Sequence, residues 1–136
     1  QGFHKTPPGT RLTTMMSPTV LLKDGQPQMV LGSGGSSRLR SAILQAIVNV
    51  IDFGLPLEDA VHRPRIHFGK GILQLEGGIP AERADALSQL GYNTNRWDGL
   101  NMYFGGTHVV ALIDGEWVAV GDRRRGGAGS VAGVGV

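Results

Sequence analysis

The spacing of apolar residues changes along this chain, and the changes divide it into elements. From Thr19 to Lys23 the run TVLLK is mostly apolar, and after Asp24-Gly25 a second run, QPQMVL, follows. An Asp-Gly pair between two such runs accommodates the positive φ angles of a tight turn, so the segment predicts a β-hairpin. From Ser37 to Phe53 the period shifts: Leu39, Ile43, Ala46, Ile47, Val50 and Ile51 recur at helical spacings. They share one face of a helix, the strongest helical pattern in the chain, which ends at Gly54. A short second helix within LPLEDAVHR is predicted to start at Pro56 and to stop before Pro64. RIHF and ILQLE read as strands flanking Gly69 to Gly71, and IPAERADALSQLGY as a third amphipathic helix capped by Gly91. THVVALI and EWVAVGD read as a closing hairpin about Asp114-Gly115. Gln1 to Arg11, rich in Pro, Gly and Thr, reads as an extended lead.

Strands and helices interleave, which leaves α/β and α+β open. Hairpins at both ends favour antiparallel pairing, and so an α+β class with helices packed on a sheet. No repeat and no linker interrupts the pattern. A chain of 136 residues suits one domain or a large part of one. Hydrophobic residues make up 40% and charged residues 18%, too apolar for disorder and too interrupted for a membrane span. The 22 glycines, about twice the usual share, point to many tight loops. A net charge of +2 is not the footprint of a nucleic-acid binder. Without cysteine there is no disulfide, zinc thiolate or cysteine nucleophile. The chain begins at Gln1 with neither an initiator methionine nor a signal peptide, as expected of a start that is not the natural one.

The stretch LGSGGSSRL, Leu31 to Leu39, is the richest in candidate chemistry. Three glycines between a strand and a helix suggest backbone angles, or a closeness of approach, that a side chain would forbid. A phosphate cradle, a set of N–H donors for an oxyanion and a purely structural turn all fit that context. The phosphate reading lacks Gly-Lys-Ser/Thr, and the dinucleotide fingerprint would need Ser37 in place of its last glycine, with Asp52 at the end of a helix rather than of a strand. His62 and His67 are five apart around a proline, which suits neither one helical face nor a zinc spacing, and His4 and His108 are isolated. No metal site is therefore expected. Asp122-Arg123-Arg124-Arg125-Gly126-Gly127 reads as a solvated loop before an anion patch. Trp97 and Trp117 read as packing residues, while Tyr103 and Phe104 leave both readings open.

The segment Met16 to His67 resembles the C-terminal catalytic subunit of the γ-glutamyltranspeptidases. The matching residues are Ser17-Pro18-Thr19, Lys23-Asp24-Gly25, Gly32-Ser33, Ser37-Arg38, Leu44-Gln45, Asn49, Ile51-Asp52, Gly54, Pro64-Arg65 and His67. FGGTHVVALIDGEWVAVGDRRRGG is similar to that family's closing hairpin and its Asp-Pro-Arg segment, so the likeness runs from about Arg11 to Gly127. It implies part of an N-terminal-nucleophile hydrolase, an αββα sandwich made by self-cleavage of a precursor, working without a cofactor. In that family a threonine at the new N-terminus attacks a γ-glutamyl carbonyl, its freed amine acts as base, and the acyl-enzyme passes to water or an acceptor amino acid.

Carried over residue by residue, the resemblance places the backbone N–H donors of the oxyanion hole at Gly35 and Ser36, where Ser36 replaces a common glycine. Thr14 and Met15 fall where relatives carry a serine pair that binds the donor's α-carboxylate; Thr14 keeps a hydroxyl and Met15 has none. The family's nucleophile stands several tens of residues before Ser-Pro-Thr, whereas only sixteen residues precede Ser17 here. By this register neither Thr13 nor Thr14 is the nucleophile. Residues 1–136 are then expected to form a single incomplete domain, partnered by the large subunit and the start of the small subunit of the same precursor. Such a piece alone is expected to expose sheet edges and the apolar face of the helix Leu39 to Ile51. Bacterial members of the family are usually periplasmic or secreted. A non-catalytic scaffold or binding remnant of the same fold is the competing expectation.

Overall fold

The structure is a computed structural model and describes residues 6–133. His4 and the first part of the N-terminal lead lie outside the described residues. In chain order the elements are β1 (Thr19–Lys23), β2 (Gln26–Gly34), α1 (Leu39–Ile51), α2 (Leu57–His62), β3 (Ile66–Gly69), β4 (Ile72–Leu75), α3 (Ala81–Gln89), β5 (Thr94–Arg96), β6 (Gly106–Ile113) and β7 (Glu116–Val120). Short 3-10 turns at Met102–Phe104 and Arg123–Arg125 flank the last two strands.

The larger sheet has the order β1-β2-β6-β7, antiparallel throughout. Both of its hairpins turn on Asp-Gly with two positive φ angles, 51° and 77° at Asp24-Gly25 and 52° and 84° at Asp114-Gly115. Those angles match the twist of the flanking strands, which is why the sequence signal was decisive. Alternation along β2 and β6 sends Met29, Leu31, Val109 and Ala111 to one face, where Leu39, Ile43 and Ala46 of α1 and Leu57 and Val61 of α2 pack on them. Each large side chain so buried contributes about 1.5–3 kcal/mol.

The helical face expected to be bare is therefore covered. The uncovered apolar surface is the opposite face of the sheet, where the cross-strand neighbours Val20, Val30 and Val110 are all exposed. The period of α1 gave the stripe from Leu39 to Val50, while Ile51, placed on the same face, is exposed at 62%; what the period lacked was the sheet that meets it.

The smaller sheet, β3-β4-β5, carries α3 on the cluster Leu73, Leu75 and Ala84. The β3–β4 hairpin turns on Lys70-Gly71, and β5 returns through α3 to pair parallel with β4. A parallel partner needs such a crossover. The α+β class holds.

Candidate functional site

The glycine loop is the corner between β2 and α1. The ladder with β6 ends at the pair Gly34↔Gly106, and the helix begins at Leu39, whose N–H donates to the Ser36 carbonyl at 3.1 Å. In between, Gly35 has φ +135°, a conformation that side-chain-bearing residues rarely adopt. Gly35 and Ser36 are both exposed, and neither N–H has an acceptor among the described residues. The loop thus presents adjacent bare donors at the start of a helix, where the macrodipole favours negative charge.

Its rear is stapled to the segment Asn101–Thr107. The Ser33 hydroxyl accepts from the Gly106 N–H and donates to the Gly34 carbonyl, each at 3.1 Å. Arg38 Nε donates to the Tyr103 carbonyl at 2.8 Å, with the guanidinium carbon 4.1 Å from the centre of the Tyr103 ring. Gly105 permits this closeness, because a Cβ there would stand 3.0 Å from both Ala42 Cβ and Ser33 Oγ.

On the front of the loop the Ser36 hydroxyl lies 3.8 Å from the Met15 sulfur. Thr14, exposed and next in chain, accepts the Met16 N–H at 3.2 Å. Gly35, Ser36, Met15 and Thr14 are thus brought to one edge of the molecule, Met15 turning a thioether to the loop where a hydroxyl would have offered a hydrogen bond.

The run Asp122–Arg125 corrects the solvated-loop expectation. Arg65, Glu76 and Asp122 are buried, at 2%, 1% and 0% exposure, and the Arg124 side chain is buried with them. Arg65 Nη2 donates to Asp122 Oδ2 at 2.8 Å. Arg124 grips both Glu76 oxygens, at 2.8 and 2.6 Å, and reaches Asp122 Oδ1 at 3.2 Å. Burial would push the Asp122 carboxyl up, but the charge of Arg65, N–H donation from Arg124 and Thr107 and the charge of Arg124 together hold it below the usual range. Burial also lowers Arg65, helped by repulsion from Arg124, whereas the Glu76 bonds and charge more than offset burial at Arg124 and raise it.

The quartet also holds the staple. Arg65 Nη1 donates to the Phe104 carbonyl at 3.3 Å, Glu76 Oε1 accepts the Asn101 N–H at 2.8 Å, and Asp122 Oδ2 accepts the Thr107 N–H at 2.8 Å. The pairing joins residues 57 and 48 apart in sequence, beyond the reach of local charge patterning.

The two histidines read as ordinary polar residues are separate. His67 Nδ1 is 2.9 Å from the Ser41 hydroxyl, and His62 Nε2 is 3.3 Å from the Gly121 carbonyl. No group of three His, Cys, Asp or Glu side chains among the described residues is placed to hold a metal ion. Trp97 stacks on Tyr103 at 4.7 Å and meets Phe104 edge-on, a packing role for all three rings.

Comparison with known proteins bears on the family and the fold. A family model described as Gamma-glutamyltranspeptidase matches residues 2–132. A glutathione hydrolase proenzyme of Pseudomonas aeruginosa is 34% identical over 88% of this chain and 22% of its own length. An acylase proenzyme of a Pseudomonas strain is 42% identical over 65% of this chain and 16% of its own length. A solved gamma-glutamyltranspeptidase from Pseudomonas nitroreducens superposes with a TM-score of 0.81 at 32% identity, covering 94% of this chain and 67% of that one. The chain spans about a fifth of the length of these curated relatives.

Proposed function

The chain belongs to the γ-glutamyltranspeptidase family, and from that premise we propose that it supplies the oxyanion loop and part of the donor-binding surface of a γ-glutamyl hydrolase or transferase. The observation that carries the reading is the pair of exposed, unpartnered N–H groups at Gly35 and Ser36, fixed from behind by Ser33 and Arg38. Such preorganised donors favour charge that develops only in the transition state, and one of them is worth about 10²–10³ in rate.

In the proposed reaction the threonine nucleophile comes from the remainder of the same precursor, together with the large subunit. Its hydroxyl oxygen bonds to the γ-carbonyl carbon and its proton passes to the threonine's own amine. The carbonyl oxygen becomes the oxyanion held by Gly35 and Ser36. Collapse breaks the C–N bond, the amine leaves with the proton, and water or an acceptor amino acid then takes the acyl group from the ester. Thr14 is proposed to bind the donor's α-carboxylate. Met15, without a donor, leaves that contact to Thr14 and makes the donor class, γ-glutamyl amides such as glutathione, the part of the reading most exposed to test. The same reading places the protein in the periplasm or outside the cell; no helix among the described residues is long and apolar enough to cross a membrane.

The test is release of chromophore from a γ-glutamyl anilide. Precursor-derived enzyme containing this chain is expected to turn it over, and the polypeptide of residues 1–136 alone is not. An inactive assembled enzyme would leave the scaffold reading in its place.

A further inference from the structure

Three consecutive arginines meet three different fates. Arg123 pairs with Glu58 on the surface at 2.7 Å, and Arg124 is buried between Glu76 and Asp122. Arg125 has no hydrogen-bonding or ion-pairing side-chain partner among the described residues, while its backbone is anchored. Its N–H donates to the Asp122 carbonyl at 3.1 Å, so it stands on the turn that the buried quartet anchors. From there its side chain runs across three glycines. A Cβ on Gly106 would lie 2.6 Å from Arg125 Cδ, one on Gly34 would lie 3.0 Å from Cδ and 3.2 Å from Nε, and one on Gly35 would lie 3.5 Å from Nη2. The stem covers the last β2–β6 pair and the guanidinium ends beside Gly35.

Glycine at Gly34 and Gly106 leaves that path open, since a Cβ at either position would crowd the arginine stem. The path delivers a permanent cation, without a counterion among the described residues, to the edge of two bare N–H donors. A guanidinium keeps its charge at every working pH and has donors free for an oxygen anion. Resting on the functional reading above, we propose that Arg125 supplies a fixed positive charge to the oxyanion site, stabilising the anionic oxygen that forms at Gly35 and Ser36. Two anionic oxygens could claim that charge: the oxyanion of the transition state and a carboxylate of the bound donor. Nη2 stands 3.5 Å from where a Gly35 Cβ would lie, next to the donor pair, and on that proximity the proposal commits to the oxyanion.

The assembled enzyme is compared with its Arg125→Met and Arg125→Lys variants on two anilides, the γ-glutamyl donor and the 4-aminobutyryl donor, which lacks the α-carboxylate. Arg125→Met keeps the stem and removes the charge. It is expected to lower kcat about tenfold on both donors, as for one partly solvated charge near a developing anion, with KM within about twofold. Arg125→Lys is expected to recover most of that loss. Affinity for a 3-aminopropyl boronic acid, which forms a tetrahedral anion with the nucleophile, is expected to fall by a similar factor, whichever step limits turnover. A rise in KM confined to the γ-glutamyl donor would overturn the proposal in favour of a carboxylate contact. Unchanged kcat and boronate affinity in Arg125→Met would reduce Arg125 to a surface stem while leaving the functional reading intact. A wild-type enzyme that turns over neither donor would overturn that reading, and the role of Arg125 with it.

Discussion

The glycine loop and the buried quartet are neighbours built on opposite principles. At Gly35 and Ser36, exposed neighbours in sequence, adjacent N–H donors have no acceptor among the described residues. In Arg65, Glu76, Asp122 and Arg124 every charge is out of solvent and countered. The segment Asn101–Thr107 joins them, gripped by the quartet on one side and by Ser33 and Arg38 on the other. On the proposed function, donors kept free for an oxyanion cannot stiffen their own loop, and the fully paired network behind it supplies the support.

Breaking the quartet is expected to give the largest effect. Asp122→Ala leaves two buried guanidinium groups sharing Glu76 and is expected to cost the assembled enzyme about 3–5 kcal/mol in denaturant unfolding. A cost below about 1 kcal/mol would deny the quartet its supporting role. Acid should act through the same residue. The folded Asp122 carboxyl titrates below its unfolded value of about 3.9, so the stability it contributes is complete above that pH and is lost as pH falls through the lower, folded value. The stability curve of wild type is expected to fall more steeply below about pH 4 than that of Asp122→Asn.

The loop is tested next. Ser36→Ala keeps the N–H and is expected to be nearly silent in kcat. Ser36→Pro removes it and is expected to lose about 10²–10³. Abolition of acylation by Ser36→Ala with the fold intact would give the hydroxyl, 3.8 Å from the Met15 sulfur, a role that the backbone reading does not assign.

The two regions also differ in how they were written in the sequence. Glycines between strand and helix mark locally a backbone that a side chain would forbid, as the Asp-Gly pairs announce the hairpins, and α1 follows from its own period. The quartet has no local signature, because its charges come from α2–β3, the end of β4 and the turn after β7, and Asp122–Arg125 has the composition of a solvated loop. Strand β5 escaped for a related reason: Thr94–Arg96 is short and polar, and becomes a strand only through its parallel pairing with β4. Long-range pairing decides both, and the period of a single segment does not contain it.

A smaller effect is expected at the front of the loop. Thr14→Ala should weaken donors bearing a free α-carboxylate, and Met15→Ser, which restores a hydroxyl, should tighten them, each by about tenfold in KM for one hydrogen bond to a charged group. Equal changes for the 4-aminobutyryl donor would remove both residues from the carboxylate site.

The smallest expected effect lies between the two regions, at the hydrogen bond from α1 to β3 that Ser41 and His67 make at 2.9 Å. Burial, then the charges of Arg38 and Arg40, hold His67 below its ordinary value. Its neutral form is therefore favoured in the fold, and the stability linked to it is complete above the unfolded value of about 6.5 and lost as pH falls toward the lower, folded value. Arg40 is exposed and is the last of the three causes, so Arg40→Gln is expected to move the His67 titration, followed by its ring proton resonances, slightly upward while leaving turnover unchanged. A downward movement would mean that Arg40 acts on His67 through packing. A large loss of kcat would instead tie this edge of α1 to the glycine loop, and the separation between a stiff support and a bare donor edge would no longer stand as drawn.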